Sequence, residues 1–122
     1  MTGYKNILKP KSEEEILTSM DNLDPNKSLY KSAYHGFLSG VKIAIERGAN
    51  IHADHDSALR FASENGHYDV VKLLLENGAD VHVFNDAALR WASRFGHYGV
   101  VDILLDNGAD VHAYNDWALR LT

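Results

Sequence analysis

The chain has 122 residues, 45% of them apolar and 24% charged, the balance of one globular domain, which excludes collagen-like, mucin-like and wholly disordered chains. Seventeen acidic against twelve basic residues give a net charge of −5, without the cationic excess by which nucleic-acid and anionic-membrane binders neutralise phosphates. No cysteine is present, so neither a disulfide framework nor a thiolate metal site is available and the core must hold by packing alone.

Residues 1–11, with Lys5, Lys9, Pro10 and Lys11, predict a loose tail. The longest apolar run there is Ile7–Leu8, too short for a signal-peptide core, and no stretch reaches the ~18 apolar residues of a membrane helix. A soluble, intracellular and cytoplasmic protein is the expectation. Ser12 and Glu15 are spaced as a capping box, the serine reaching forward and the glutamate back. They open an amphipathic helix over 12–23, with Ile16, Leu17, Met20 and Leu23 as its apolar side, expected to cover the N-terminal end of a repeat array.

From residue 24 the chain repeats with a period of 30. Ala58-Leu59-Arg60 returns as Ala88-Leu89-Arg90 and Ala118-Leu119-Arg120, and Gly66-His67-Tyr68 as Gly96-His97-Tyr98. Residues 54–83 and 84–113 share 19 of 30 positions, a diverged unit spans 24–53, and a partial one spans 114–122. Within 54–83, Asp56 is placed to cap a helix over 57–65, ended by Gly66. A second helix over 68–77 sets Val70, Val71, Leu74 and Leu75 on one stripe, with Gly78 where a left-handed C-terminal residue is wanted. The stretch 80–86 reads as an extended turn to the next unit. One such helix pair cannot bury its stripe alone, so the copies must stack as a solenoid.

The pattern Gly-His-x-x-Val-Val-x-x-Leu-Leu-x-x-Gly-Ala-Asp-Val at 66–81 resembles the ankyrin repeat, and the likeness covers about 24–122. It implies an all-α solenoid of antiparallel helix pairs joined by short hairpins, binding a protein partner through hairpin tips and a concave inner-helix face, without catalysis and without a cofactor. The family unit is 33 residues, so three are missing here from the hairpin, and the family's Thr-Pro-Leu-His start is replaced by Ser57-Ala58-Leu59-Arg60. The short hairpin and the Asn-Asp-x-Ala-Leu-Arg start are similar to the ankyrin arrays of amoeba-infecting giant viruses, which would place the protein in a host cell.

Seven histidines raise the question of a metal. His52, His82 and His112 are equivalent, but stacked helices lie ~8–10 Å apart and zinc needs nitrogens ~2.0–2.1 Å away, so no metal is expected. The resemblance implies instead that these histidines, like the family's asparagine, tie the hairpin to the backbone. It also implies that His82 and His112 are spaced as substrates of an asparaginyl hydroxylase. His67 and His97 match the family's structural Gly-His. Phosphate-cradling glycine loops, nucleophile elbows and metalloprotease motifs are absent, and Asp56, Asp86 and Asp116 recur at the spacing of 30 as caps do, so no enzyme is expected.

Positions that vary between near-identical units are free for recognition. At the tips these are Asp54, His55, Phe84, Asn85 and Tyr114; near the inner-helix ends they are Tyr34, His35, Glu64, Asn65, Arg94 and Phe95. Phe84, Arg94, Phe95 and Tyr114 belong to types enriched at binding hot spots. Phe61 becomes Trp91, which is expected to fill the core between units, whereas Phe95 and Tyr114 are expected to be exposed. Two other readings are a ubiquitin-ligase adapter docking through 1–23 and a truncated remnant of a longer array. The partial unit would leave an apolar end through which copies could self-associate.

Overall fold

The computed structural model describes residues 24–112, which form six helices and no strand. They are α1 (Pro25–His35), α2 (Leu38–Glu46), α3 (Ala53–Glu64), α4 (Tyr68–Glu76), α5 (Val83–Arg94) and α6 (Tyr98–Asp106). The tail, the capping helix over 12–23, the partial unit with Tyr114, and hence the adapter, remnant and self-association readings, lie outside the described residues.

Each pair is built by the same punctuation. α3 ends because Gly66 takes φ +75°, letting its N–H reach Ser63 O at 3.2 Å while the His67 N–H reaches Ala62 O at 2.9 Å. α4 ends likewise, with Gly78 and Ala79 donating to Leu75 O and Leu74 O at 3.0 Å. Leu29, Leu59 and Leu89 fill the interior from the first helices, and Val41, Val70, Val71, Val100, Leu74 and Leu104 from the second. Ala33, Ala62 and Ala92 are fully buried, and residues this small allow close helix approach. α1, α3 and α5 pack in a row that is tighter than the row α2, α4 and α6. The stack therefore curves with α1, α3 and α5 on its inside, and these are called the inner helices. Among the described residues, no helix is long and apolar enough to cross a membrane.

The connections depart from the expected extended turn. Asp54, His55 and Asp56 all lie near φ +54° and ψ +40° to +51°, and Phe84, Asn85 and Asp86 repeat the same conformation. These are single turns of left-handed helix, each closed by a hydrogen bond of 3.2 Å, from Asp56 N–H to His52 O and from Asp86 N–H to His82 O. The ordinary right-handed helices begin after them, at Ser57 and Ala87. A left-handed residue with a side chain costs about 1–2 kcal/mol, least for Asp and Asn. Arg60 supplies the compensation: its Nε donates to His55 O at 2.9 Å and its Nη2 to Asp54 O at 3.0 Å. Arg90 does the same for Asn85 O at 3.1 Å and Phe84 O at 2.8 Å. The arginine of the recurring Ala-Leu-Arg thus serves the turn before it. The first unit needs no such device, because Pro25 holds the φ of a right-handed first turn and Asp24 Oδ1 accepts the Asn26 N–H at 3.2 Å.

Two further expectations are corrected. Asp56 and Asp86 do not cap their own helices. Their buried carboxylates accept the N–H of Asp80 at 2.8 Å and of Asp110 at 2.6 Å, at the far end of the same unit. His52 and His82 do not tie to backbone through their rings: Nδ1 lies 3.0 Å from Asp56 and 3.1 Å from Asp86. In the first unit Asn26 fills the aspartate's place and accepts the Asn50 N–H at 2.7 Å. With Asn50, Asp80 and Asp110 each accepting the N–H two residues on, at 2.8–2.9 Å, these bonds form one relay along the connections.

Candidate protein-binding face

Trp91 is the clearest departure inside the array. It does not enter the core: it is 37% exposed, stacked on Phe95 with ring centroids 5.9 Å apart and planes at 16°. Ala88, Leu89, Ala92 and Ser93, at i, i+1, i+4 and i+5, already fill the interior side of α5. Helical geometry sets residue 91 at the border of that side, next to the buried Ala87 and Ala88. Phe95 is 50% exposed, and the Arg94 guanidinium lies 5.8 Å from the Trp91 ring.

Equivalent positions on α3 and α1 extend this surface. Phe61, half-buried, meets the Tyr30 ring edge-on at 5.4 Å and Tyr34 at 5.9 Å. Tyr34 in turn meets His35 at 5.2 Å. Glu64 and Asn65 line a hollow with Phe95 and His97. At the tips, His55 and Phe84 come together at 5.2 Å, and Arg60 lies over both Phe84, at 5.0 Å, and Phe61, at 5.4 Å. Arg60 therefore links the tip residues to the inner-helix residues in one surface. Asp54 and Asn85 are exposed at its edge. Sequence reasoning missed Tyr30, Arg60 and Phe61 as members, and misplaced Trp91. Packing between neighbouring units places them, and the repeat pattern along the chain carries no signal for it.

The structural histidines behave as the Gly-His pairing implies. His67 Nε2 bonds Tyr34 O and His97 Nε2 bonds Glu64 O, each at 2.9 Å, carrying a side-chain bond from one unit to the previous one. Each ring lies flat on a glycine of that unit: a Cβ on Gly66 would stand 2.5 Å from His97 Nδ1. His82 is mostly exposed, and its hydrogen bond to the Asp86 carboxylate, then the charge of that carboxylate, raises its pKa above the ordinary 6.5. His112 donates its backbone N–H to Asp110 Oδ1 at 2.8 Å. Among the described residues no three His, Asp or Glu side chains are grouped to hold a metal ion.

The face thus carries stacked rings and guanidinium groups over rings. The family model for ankyrin repeats (3 copies) matches residues 5–85 and 29–115. The chain belongs to the ankyrin-repeat family, whose members are generally protein–protein interaction modules and typically non-catalytic. No curated protein matches the sequence.

Proposed function

We propose that this chain binds a protein partner on its inner-helix face, with Trp91, Phe95 and Arg94 as the centre and Tyr34, His35, Asp54, His55, Glu64, Asn65, Phe84 and Asn85 around it. The observation that carries this reading is the exposed Trp91–Phe95 stack. The exposed apolar area of two large rings is unfavourable in water and is relieved when a partner covers it, and aromatic side chains with arginine dominate interface energetics. The 30-residue period and the Asn-Asp-x-Ala-Leu-Arg start support placing the chain with short-unit arrays of the giant-virus kind. The test is a comparative capture from cell lysate by the whole chain and by a Trp91→Ala/Phe95→Ala variant of matched circular dichroism. A protein held by the parent and lost by the variant supports the reading. Equal retention by both would refute it.

A further inference from the structure

The chain is acidic, yet its charge is unevenly placed. The inner helices, over 27–35, 57–65 and 87–95, carry five cationic side chains and one anionic, Glu64. The outer helices and their caps, over 38–47, 68–77 and 98–107, carry three cationic and five anionic. The connections add Asp54, Asp80 and Asp110 on the exposed side. In a protein of net charge −5, five of the eight Lys and Arg side chains among the described residues thus lie on the inner helices, which also carry Tyr30, Tyr34, Phe61, Trp91 and Phe95.

Three of those cations are not neutralised within the array. Lys27, Lys31 and Arg94 are exposed, and the ion pairs His52–Asp56 and His82–Asp86 of the described residues do not include them. Arg60 and Arg90 spend N–H groups on the carbonyls of the left-handed turns, which hold each guanidinium in place. Lys27 and Tyr30 also line a groove with Asp54 and Ser57 between the first two units. The face therefore alternates ring and cation along its length: Lys27, Tyr30 and Lys31 on α1, Arg60 and Phe61 on α3, Trp91 and Arg94 on α5.

We propose that the occupant of this face is an acidic segment of a protein partner, one that sets apolar side chains between carboxylates. This rests on the reading above that the face docks protein. Apolar side chains of the segment cover the rings, and its carboxylates meet Lys27, Lys31 and Arg94, with Arg60 and Arg90 as fixed positive charges behind them. The acidic outer helices and connections repel the same segment, so the charge pattern selects the face as well as the partner. A nucleic acid fits less well, because its evenly spaced phosphates would run past Asp54 in the groove and Glu64 in the hollow beside Phe95, whereas a peptide can set carboxylates opposite the cations alone and neutral side chains opposite Asp54 and Glu64.

The experiment is an unbiased random-peptide display selection on the whole chain, followed by fluorescence anisotropy with the enriched peptides. Enriched sequences are expected to be net acidic with interspersed apolar residues. Their affinity should fall about tenfold or more in a Lys27→Glu/Lys31→Glu/Arg94→Glu variant, less in the corresponding Gln variant, and steeply with added salt. Circular dichroism and the melting temperature confirm that both variants remain folded. Neutral or basic peptides that still need Trp91 and Phe95 would overturn the acidic assignment and leave the docking face standing. Peptides indifferent to both sets of variants, or no enriched peptide at all, would overturn the face as well. Tighter binding of an oligouridine RNA would assign the face to nucleic acid. A dimer broken by Arg94→Glu would assign it to a second copy of the chain. Either result overturns the proposal.

Discussion

Arg60→Met tests whether the left-handed turns depend on the arginine downstream of them. Methionine keeps the apolar stem but removes the bonds to His55 O and Asp54 O, at 2.9 and 3.0 Å. A charged donor to a carbonyl contributes about 1.5–3 kcal/mol where water is excluded. Arg60 is only half-buried, so about 1 kcal/mol for each bond is the appropriate figure. Loss of the guanidinium over Phe84 and Phe61 adds a few tenths of a kcal/mol. The expected total is about 2 kcal/mol, or a fall in melting temperature of roughly 6–10 °C for a chain of this size. Urea unfolding monitored by circular dichroism measures the first quantity and a thermal scan the second. The mechanism is separable from simple loss of contacts by a double-mutant cycle. His55 stands at φ +55°, where glycine carries no steric penalty. His55→Gly should therefore reduce the cost of Arg60→Met, because a turn that is no longer strained needs less holding. Arg60→Met within about 0.5 kcal/mol of the parent, the range of an ordinary surface change, or strictly additive effects in the cycle, would refute this account of the turn.

The geometry yields three further expected outcomes. Gly66→Ala combines a backbone at φ +75° with a Cβ 2.5 Å from His97 Nδ1, whereas Gly78→Ala, at φ +90°, meets no atom within 4 Å; the first should cost about 3 kcal/mol and the second about 1 kcal/mol in urea unfolding, and equal costs would contradict the interlock between units. The buried hydroxyls of Ser63 and Ser93 have no hydrogen-bond partner, and the first unit carries Ala33 at the same place, so Ser63→Ala and Ser93→Ala should each raise stability by about 1 kcal/mol in the same assay. His82 has a folded pKa raised by Asp86. The stability from that pair is present in full below the ordinary histidine value of 6.5 and is lost as pH rises through the raised value. Asp86→Asn should lower the His82 midpoint in an NMR titration, while the amide oxygen still accepts the Asp110 N–H as Asn26 does for Asn50 in the first unit; an unchanged midpoint would refute the cause assigned to the shift.

Much of the architecture was legible along the chain because repetition and helical periodicity are local properties. A period of 30, a glycine after each helix and stripes such as Val70, Val71 and Leu74 specify helix pairs that can be buried only by stacking. The exposure of Phe95 was legible for a related reason: it differs between units whose buried positions are the same. Tertiary structure alone decided three features. Runs of left-handed residues at 54–56 and 84–86 are disfavoured locally and persist because an arginine downstream binds their carbonyls. The aspartates that look like helix caps are claimed by amides 24 residues later. Trp91 lies on the surface because the alanine-filled contact between inner helices has no volume for an indole. The amide that claims the aspartate is distant in sequence, the limit on the indole is packed space, and the arginine, though near, acts through a side-chain reach that a pattern along the chain does not encode.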